Sequence, residues 1–222
     1  MRIALIGATG FVGAALLPEL LSRHHEVTAI ARTPGKIAAQ PGLRTVAADV
    51  YDAPALAAAL RGHDAVVSAF NPGWNEPRLY ELFMQGSAAI VKATEAAGVQ
   101  RLVVVGGAGS LYVAEGVQLV DTPEFAGHVP ANVVPGARAA RDALGELRGN
   151  TRIDWTFVSP PAMLQPGARS GRYRVGGEFL LMDGDAPAGI SVADLAVAIA
   201  DELEAPCHVR ARFTVASERA TG

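Results

Sequence analysis

The sequence predicts an α/β protein built as a doubly wound parallel sheet, three layers deep with helices on both faces. Three observations predict it. A short apolar run at residues 2–6 passes directly into a glycine-rich turn and then into a helical pattern. Further short apolar runs alternate with segments of helical period, the order that parallel strands and crossover helices require. The 222 residues, half of them apolar, are enough to cover both faces of such a sheet. A single domain over 1–222 is expected, with 159–190 contributing to a substrate side.

Arg2 to Ile6 is long enough for one buried strand and too short for a helix. Gly7, Gly10 and Gly13 follow at three-residue spacing, and beyond them Val12, Ala15, Leu16, Leu20 and Leu21 recur at helical intervals. The three glycines answer three demands. One lets the chain turn sharply after the strand, one lets a pyrophosphate approach the backbone, and one lets helix and sheet pack closely. The helix then presents free N–H groups and its positive dipole end to the phosphates. Gly7, Thr9, Gly10, Phe11, Val12 and Gly13 are therefore the expected dinucleotide cradle. With Ala8, Thr9, Phe11 and Val12 between the glycines, this stretch resembles the extended and atypical short-chain dehydrogenase/reductase families. That resemblance implies a Rossmann fold and a nicotinamide cofactor.

Glu26 to Ala31 reads as the second strand and ends at Arg32, 19 residues after Gly13. A carboxylate in this region would favour NAD by accepting from a ribose hydroxyl. Arg32, Thr33 and Lys36 offer a guanidinium, a hydroxyl and an ammonium, which suit a 2′-phosphate, so NADP (NADPH) is favoured over NAD. Leu43 to Ala48 is the third strand, and Asp52 caps a helix over 53–60 with Pro54 in its first turn. The resemblance places Asp49 and Val50, just past that strand, beside the adenine. The fourth strand, Asp64 to Ala69, ends in small residues and a turn, so Ala69 and Phe70 should flank the ribose and pyrophosphate at the carboxyl end of the sheet. Trp74, on the loop beyond, is either a pocket wall or a cap on the next helix. That helix, Pro77 to Ala97, carries an apolar face and ends at Gly98.

Arg101 to Val105 is the fifth strand, followed by Gly106-Gly107-Ala108-Gly109-Ser110-Leu111-Tyr112. This segment resembles the serine-rich stretch of extended short-chain dehydrogenases, and Gly106, Gly107 and Ala108 are implied cofactor contacts. The family's catalytic Ser or Thr falls on Ala108, which has no hydroxyl. Its Tyr-x-x-x-Lys should fall near 133–141, where neither tyrosine nor lysine occurs. The standard acid–base pair is thus missing. Tyr112 and Ser110 are the remaining proton donors beside the expected nicotinamide, with a structural tyrosine under the following loop as the other reading. Residues 112–134 read as an irregular cover.

Ile153 to Val158 is the sixth strand and runs into Ser159, Pro160, Pro161 and Ala162. Asp-Trp-Thr followed by a strand and a proline turn resembles NmrA-like and related single-domain NAD(P)-binding proteins. In those proteins this turn shapes the nicotinamide pocket. Residues 171–182 read as a hairpin around Gly176-Gly177. Ser191 caps the last helix with Asp194 at its third position, a carboxylate form of the capping box. Arg212 to Ala216 is a final strand.

A net charge of −3 with no basic block argues against nucleic acid. No apolar stretch approaches the length of a membrane span. Cys207 is the only cysteine, which excludes a disulfide framework and a thiolate metal cluster, and no histidine pair has metal-ligand spacing, so no metal is expected. The cytoplasm, a small-molecule substrate and a monomer or homodimer are expected. The resemblance implies reduction of a quinone-, flavin- or enone-like molecule by hydride transfer from NADPH. The missing Tyr–Lys pair keeps open a second reading, a non-catalytic NADP(H) sensor of the NmrA type.

Overall fold

A computed structural model describes residues 1–218. An eight-stranded sheet forms its centre, assembled in the order β10-β14-β8-β5-β4-β1-β2-β3. Its first half is β1 (Arg2–Ile6), α1 (Phe11–Ser22), β2 (Glu26–Ala31), β3 (Leu43–Ala47), α2 (Ala53–Leu60) and β4 (Ala65–Ser68). The second half adds α3 (Leu79–Ala97) and β5 (Arg101–Val105), a small hairpin of β6 (Tyr112–Ala114) and β7 (Val117–Gln118), then α4 (Pro123–His128), α5 (Val134–Arg148) and β8 (Asp154–Ser159). Beyond these come β9 (Met163–Gln165), β10 (Tyr173–Gly176), β11 (Met182–Asp183), β12 (Ala186–Pro187), β13 (Gly189–Ser191), α6 (Val192–Glu204) and β14 (Ala211–Ser217). Every pairing in the large sheet is parallel except β10 with β14.

Period-two alternation splits the core between the two faces. Ile3, Leu5, Val67 and Val103 pack with Leu16 and Leu20 of α1 and Leu195 and Ile199 of α6. Ala4, Ile6, Val66, Leu102 and Phe157 point the other way, against Leu56 of α2, Ile90 of α3 and Leu147 of α5. Strands buried on both faces read as continuous apolar runs, as β1, β4 and β5 do. At the strand edge opposite the carboxyl ends, Arg101 donates to Glu202 Oε1 of α6 (2.9 Å) and to Thr156 Oγ1 (2.7 Å). This buried ion pair ties α6 to β5 and β8.

Three expectations are corrected. Residues 171–182 do not form a hairpin with each other. Instead β10 joins the edge of the main sheet, Arg174 opposite Ala216, and the hairpin that forms nearby is β11 with β12. The turn at Gly176-Gly177 is used to carry Glu178 to Leu180 alongside Tyr112, whose N–H donates to Glu178 O and whose C=O accepts from Leu180 N, both at 2.9 Å. The cover at 112–134 is more regular than expected, because Gly116, at φ +74°, closes the β6–β7 turn and Thr122 caps α4 by accepting from Phe125 N (3.2 Å). At α6 only half of the capping box exists. Ser191 Oγ accepts from Asp194 N (3.0 Å), but the Asp194 carboxylate turns away to accept from the amides of Ser170 and Gly171, each at 2.8 Å.

Candidate functional site

The carboxyl ends of β1, β4, β5 and β8 lie side by side along one edge of the sheet. Between β1 and β4 the crossover helices change face, and ligands of open α/β sheets collect at such a switch point. Gly7 ends β1 at φ +82°, and a Cβ there would stand 2.4 Å from Ala69 O, so only glycine lets β1 and the β4 loop meet. Gly10 N donates to Gly7 O (3.0 Å), which closes the turn. A Cβ on Gly13 would stand 2.1 Å from the same Gly7 O, so α1 sits directly against the turn.

Gly10 is the residue before α1 and has no side chain to cap it; the first helical bond is Ala14 N to Gly10 O at 2.8 Å. The amides of Phe11, Val12 and Gly13 meet no acceptor in the protein. Three free N–H donors at a helix start with no acidic residue in the first turn form an anion-binding end. It opens onto a cleft of about 220 Å³ that brings together Gly7, Thr9, Gly10, Arg32, Asp49, Val50, Ala69 and Phe70.

Arg32 is exposed at the cleft and pairs with no carboxylate among the described residues. Thr33 and Lys36 lie just outside, exposed on the short turn that follows β2. Asp49 Oδ1 accepts from Tyr51 N (3.1 Å), which leaves Oδ2 without a partner in the protein. Tyr51 itself also lines the cleft, a residue that the sequence reading missed along with Asn71, Pro72, Glu76 and Leu82. Its hydroxyl donates to Leu82 O (3.1 Å) and its ring stands edge-on to Phe70, centroids 6.2 Å apart. Burial, reinforced by the Asp49 charge, pushes the Tyr51 phenol above its ordinary range. Its place two residues past Asp49 was the available signal. Phe70 in turn packs on Gly86 of α3, where a Cβ would stand 2.3 Å from the ring.

The remaining expected contacts form a second group farther along the same edge. Gly106 donates to Val158 O (2.9 Å), and a Cβ on it would lie 2.0 Å from Phe157 Cζ. Gly107 and Ala108 are half-buried, Pro160 and Pro161 are buried, and Ala162 is exposed. Ser110 and Ser159 are buried, their hydroxyl oxygens 3.3 Å apart, and both receive Arg212 Nη1, at 3.2 and 3.5 Å. Arg212, 102 residues from Ser110, also donates to Ser110 O (3.0 Å) and pairs with the Glu178 carboxylate, and no sequence signal linked it to this site. Tyr112 is half-buried, its ring 5.9 Å from both the Phe179 ring centroid and the Arg212 guanidinium carbon. Ser110 is thus locked into the wall, whereas Tyr112 reaches the surface. Among the described residues no helix is long and apolar enough to cross a membrane, and no cluster of His, Cys, Asp or Glu could hold a metal.

Comparison with known proteins agrees with this geometry. The sequence profile described as NAD(P)H-binding matches residues 7–206. The uncharacterized protein YwnB of Bacillus subtilis is 39% identical over 221 residues, covering 98% of this chain and 99% of its own. A solved structure of a candidate epimerase from Bacteroides thetaiotaomicron is 42% identical with a TM-score of 0.90, covering 100% of this chain and 99% of the other. A candidate NADH-flavin reductase from Streptococcus pneumoniae is 35% identical with a TM-score of 0.84, covering 98% and 100%.

Proposed function

Since this chain belongs to the NAD(P)H-binding family, we propose that it is an NADPH-dependent oxidoreductase acting on a quinone-, flavin- or enone-like small molecule. Its compartment on this reading is the cytoplasm and its working form a monomer or homodimer. The observation that carries the proposal is the α1 end: three unpartnered amides over a glycine turn, opening onto a cleft that also holds an unpaired Arg32. The residues present fit a dinucleotide. Gly7 to Gly13 hold the diphosphate by backbone amides, and Arg32, with Thr33 and Lys36 behind it, takes the 2′-phosphate. Asp49 and Val50 meet the adenine, while Ala69 and Phe70 line the path to the ribose. Gly106 to Ala108 and Ser159 to Ala162 border the nicotinamide end.

Bound NADPH would supply a hydride to the acceptor. The chain then has little left to do beyond orientation and one proton. The Tyr112 hydroxyl delivers that proton to the reduced acceptor, with solvent restoring it. Ser110 acts as a positioning group through its bonds to Gly107 O and Arg212. A planar conjugated acceptor suits a site with no Tyr–Lys pair, because its reduced anion is delocalised and needs no strong acid. The candidate NADH-flavin reductase among the relatives supports this acceptor class.

The test is calorimetric binding of NADPH and NADH, with NADPH oxidation followed against flavins, quinones and enones. Arg32→Glu should weaken NADPH binding about 10- to 100-fold, the loss of a charge-assisted contact, and reverse the preference between the two cofactors. Failure of either cofactor to bind refutes the reading. Binding without turnover of any acceptor favours the NADP(H) sensor, which the missing hydroxyl at Ala108 and the burial of Ser110 support.

A further inference from the structure

On the opposite face of β4 and β5 from α1, helices α3 and α5 leave a cavity of about 320 Å³, within the size range of small-molecule sites. It shares no lining residue with the cofactor cleft. Its floor is one register row across three adjacent strands, Ser68 opposite Val104 and Val104 opposite Phe157. Val91 of α3 with Ala143 and Leu147 of α5 form apolar walls.

Ser68 is only 4% exposed, and its hydroxyl, which bonds no other group of the protein, stays accessible where the residue borders this cavity. An accessible, unpartnered hydroxyl can donate to or accept from a molecule that enters the cavity, which an apolar side chain here could not do. The cavity mouth is polar but already arranged. Glu95 accepts from Asn150 Nδ2 (2.7 Å) and Arg152 Nη1 (3.3 Å), while Lys92 pairs with no carboxylate among the described residues. The floor residues Ser68, Val104 and Phe157 carry no charge, and Lys92, Glu146 and Arg152 of the lining are exposed, so the floor itself offers a charged ligand atom no ionic partner.

We propose that the α3–α5 cavity is a second binding site, separate from the cofactor cleft, for an uncharged ring-sized molecule whose single hydroxyl or carbonyl group bonds Ser68. The apolar body of the ligand lies against Val104, Phe157 and Leu147. A polar substituent, if the ligand carries one, points out past Lys92.

Phenol is the probe. Titrated into the full chain and followed by amide and methyl chemical shifts, it should give saturable shifts centred on Ser87, Val91, Val104 and Leu147. Ser68→Ala should keep the fold, since it removes an unpaired hydroxyl, and weaken phenol binding about fivefold, the worth of one neutral hydrogen bond. Ala88→Leu, which fills the space from the α3 side, should abolish saturation, with thermal melting confirming that the variant folds. Three results overturn the proposal: shifts that never saturate or scatter over the surface, equal phenol affinity in wild type and both variants, or a second copy of the chain covering this face at the concentrations used.

Discussion

Replacing Gly13 with Ala tests whether helix and turn are as tightly joined as the site requires. The new Cβ would lie 2.1 Å from Gly7 O, 2.8 Å from Gly7 C and 2.9 Å from Ala8 Cα, all backbone atoms that cannot swing aside. Restoring ordinary contact, about 3.5 Å, needs a separation of more than ~1 Å between α1 and the turn. Neither side can give easily. Gly7 is itself wedged against Ala69 O, and α1 is held by the buried Leu16, Leu17 and Leu20. Overpacking of this kind costs about 1–3 kcal/mol, and the helix preference of Ala over Gly returns at most ~1 kcal/mol. With that return subtracted in full the net loss is up to about 2 kcal/mol, which should lower Tm by up to about 8 °C in a chain of this length. On the proposed function the displaced amides of Phe11 to Gly13 are the phosphate donors, so NADPH affinity should also fall about tenfold or more. Gly35→Ala is the control: its Cβ meets nothing within 4 Å and its backbone needs no positive φ, so melting should be unchanged or slightly higher. Calorimetric melting and NADPH titration of both variants decide the matter. A Gly13→Ala protein with wild-type Tm and wild-type affinity would refute the argument.

Two further outcomes follow from buried charge. Burial pushes the Asp194 carboxyl up, but the amides of Gly171 and Ser170 and the Ser170 hydroxyl outweigh it and hold its pKa below the ordinary carboxylate value. A depressed pKa contributes stability that is complete above the unfolded-state value and is lost as pH falls through the folded one. Asp194→Asn should therefore cost about 1.5–3 kcal/mol at neutral pH and flatten the fall in stability below about pH 4; urea unfolding across that range checks both, and parallel curves for the two proteins would contradict it. Arg212→Met leaves Glu178 with Arg148 alone and removes the guanidinium link between the strap at 178–180 and Ser110, so that only the two backbone bonds to Tyr112 hold it there. Because Glu178 is 41% exposed, the cost should be only about 1–2 kcal/mol. The Tyr112 and Leu180 amides should exchange with solvent several-fold faster, and unchanged exchange would show that Arg212 does not hold the strap.

The parts of the molecule that could be read from the chain are those whose signal is local. Gly7, Gly10 and Gly13 between a strand and a helix announce the tight strand–turn–helix junction because its geometry is complete within twelve residues. The strand ends at Ala31, Ala47 and Ser68 place Arg32, Asp49 and Ala69 at the cleft for the same reason. What escaped depends on partners distant in sequence. Tyr173 to Gly176 look like half of a hairpin, and nothing in their alternation tells that the partner is Thr214 to Ser217. Ser110 reads as an available hydroxyl until Arg212 is folded over it. Tyr51 is legible as an aromatic beside Asp49, but its role as a cleft wall depends on Leu82 and Phe70 from two other elements.

The position of β14 has a consequence for how the chain assembles. It is an interior strand, bonded to β8 on one side and β10 on the other, yet it is made after every other strand of this sheet. Until residues 211–217 arrive, β8 presents a bare edge and β10 has nothing to pair with. A nascent chain lacking this segment can complete the nucleotide half of the sheet while leaving the other half open to intermolecular pairing. Shortening the chain into β14 should therefore yield aggregates rather than a smaller working protein.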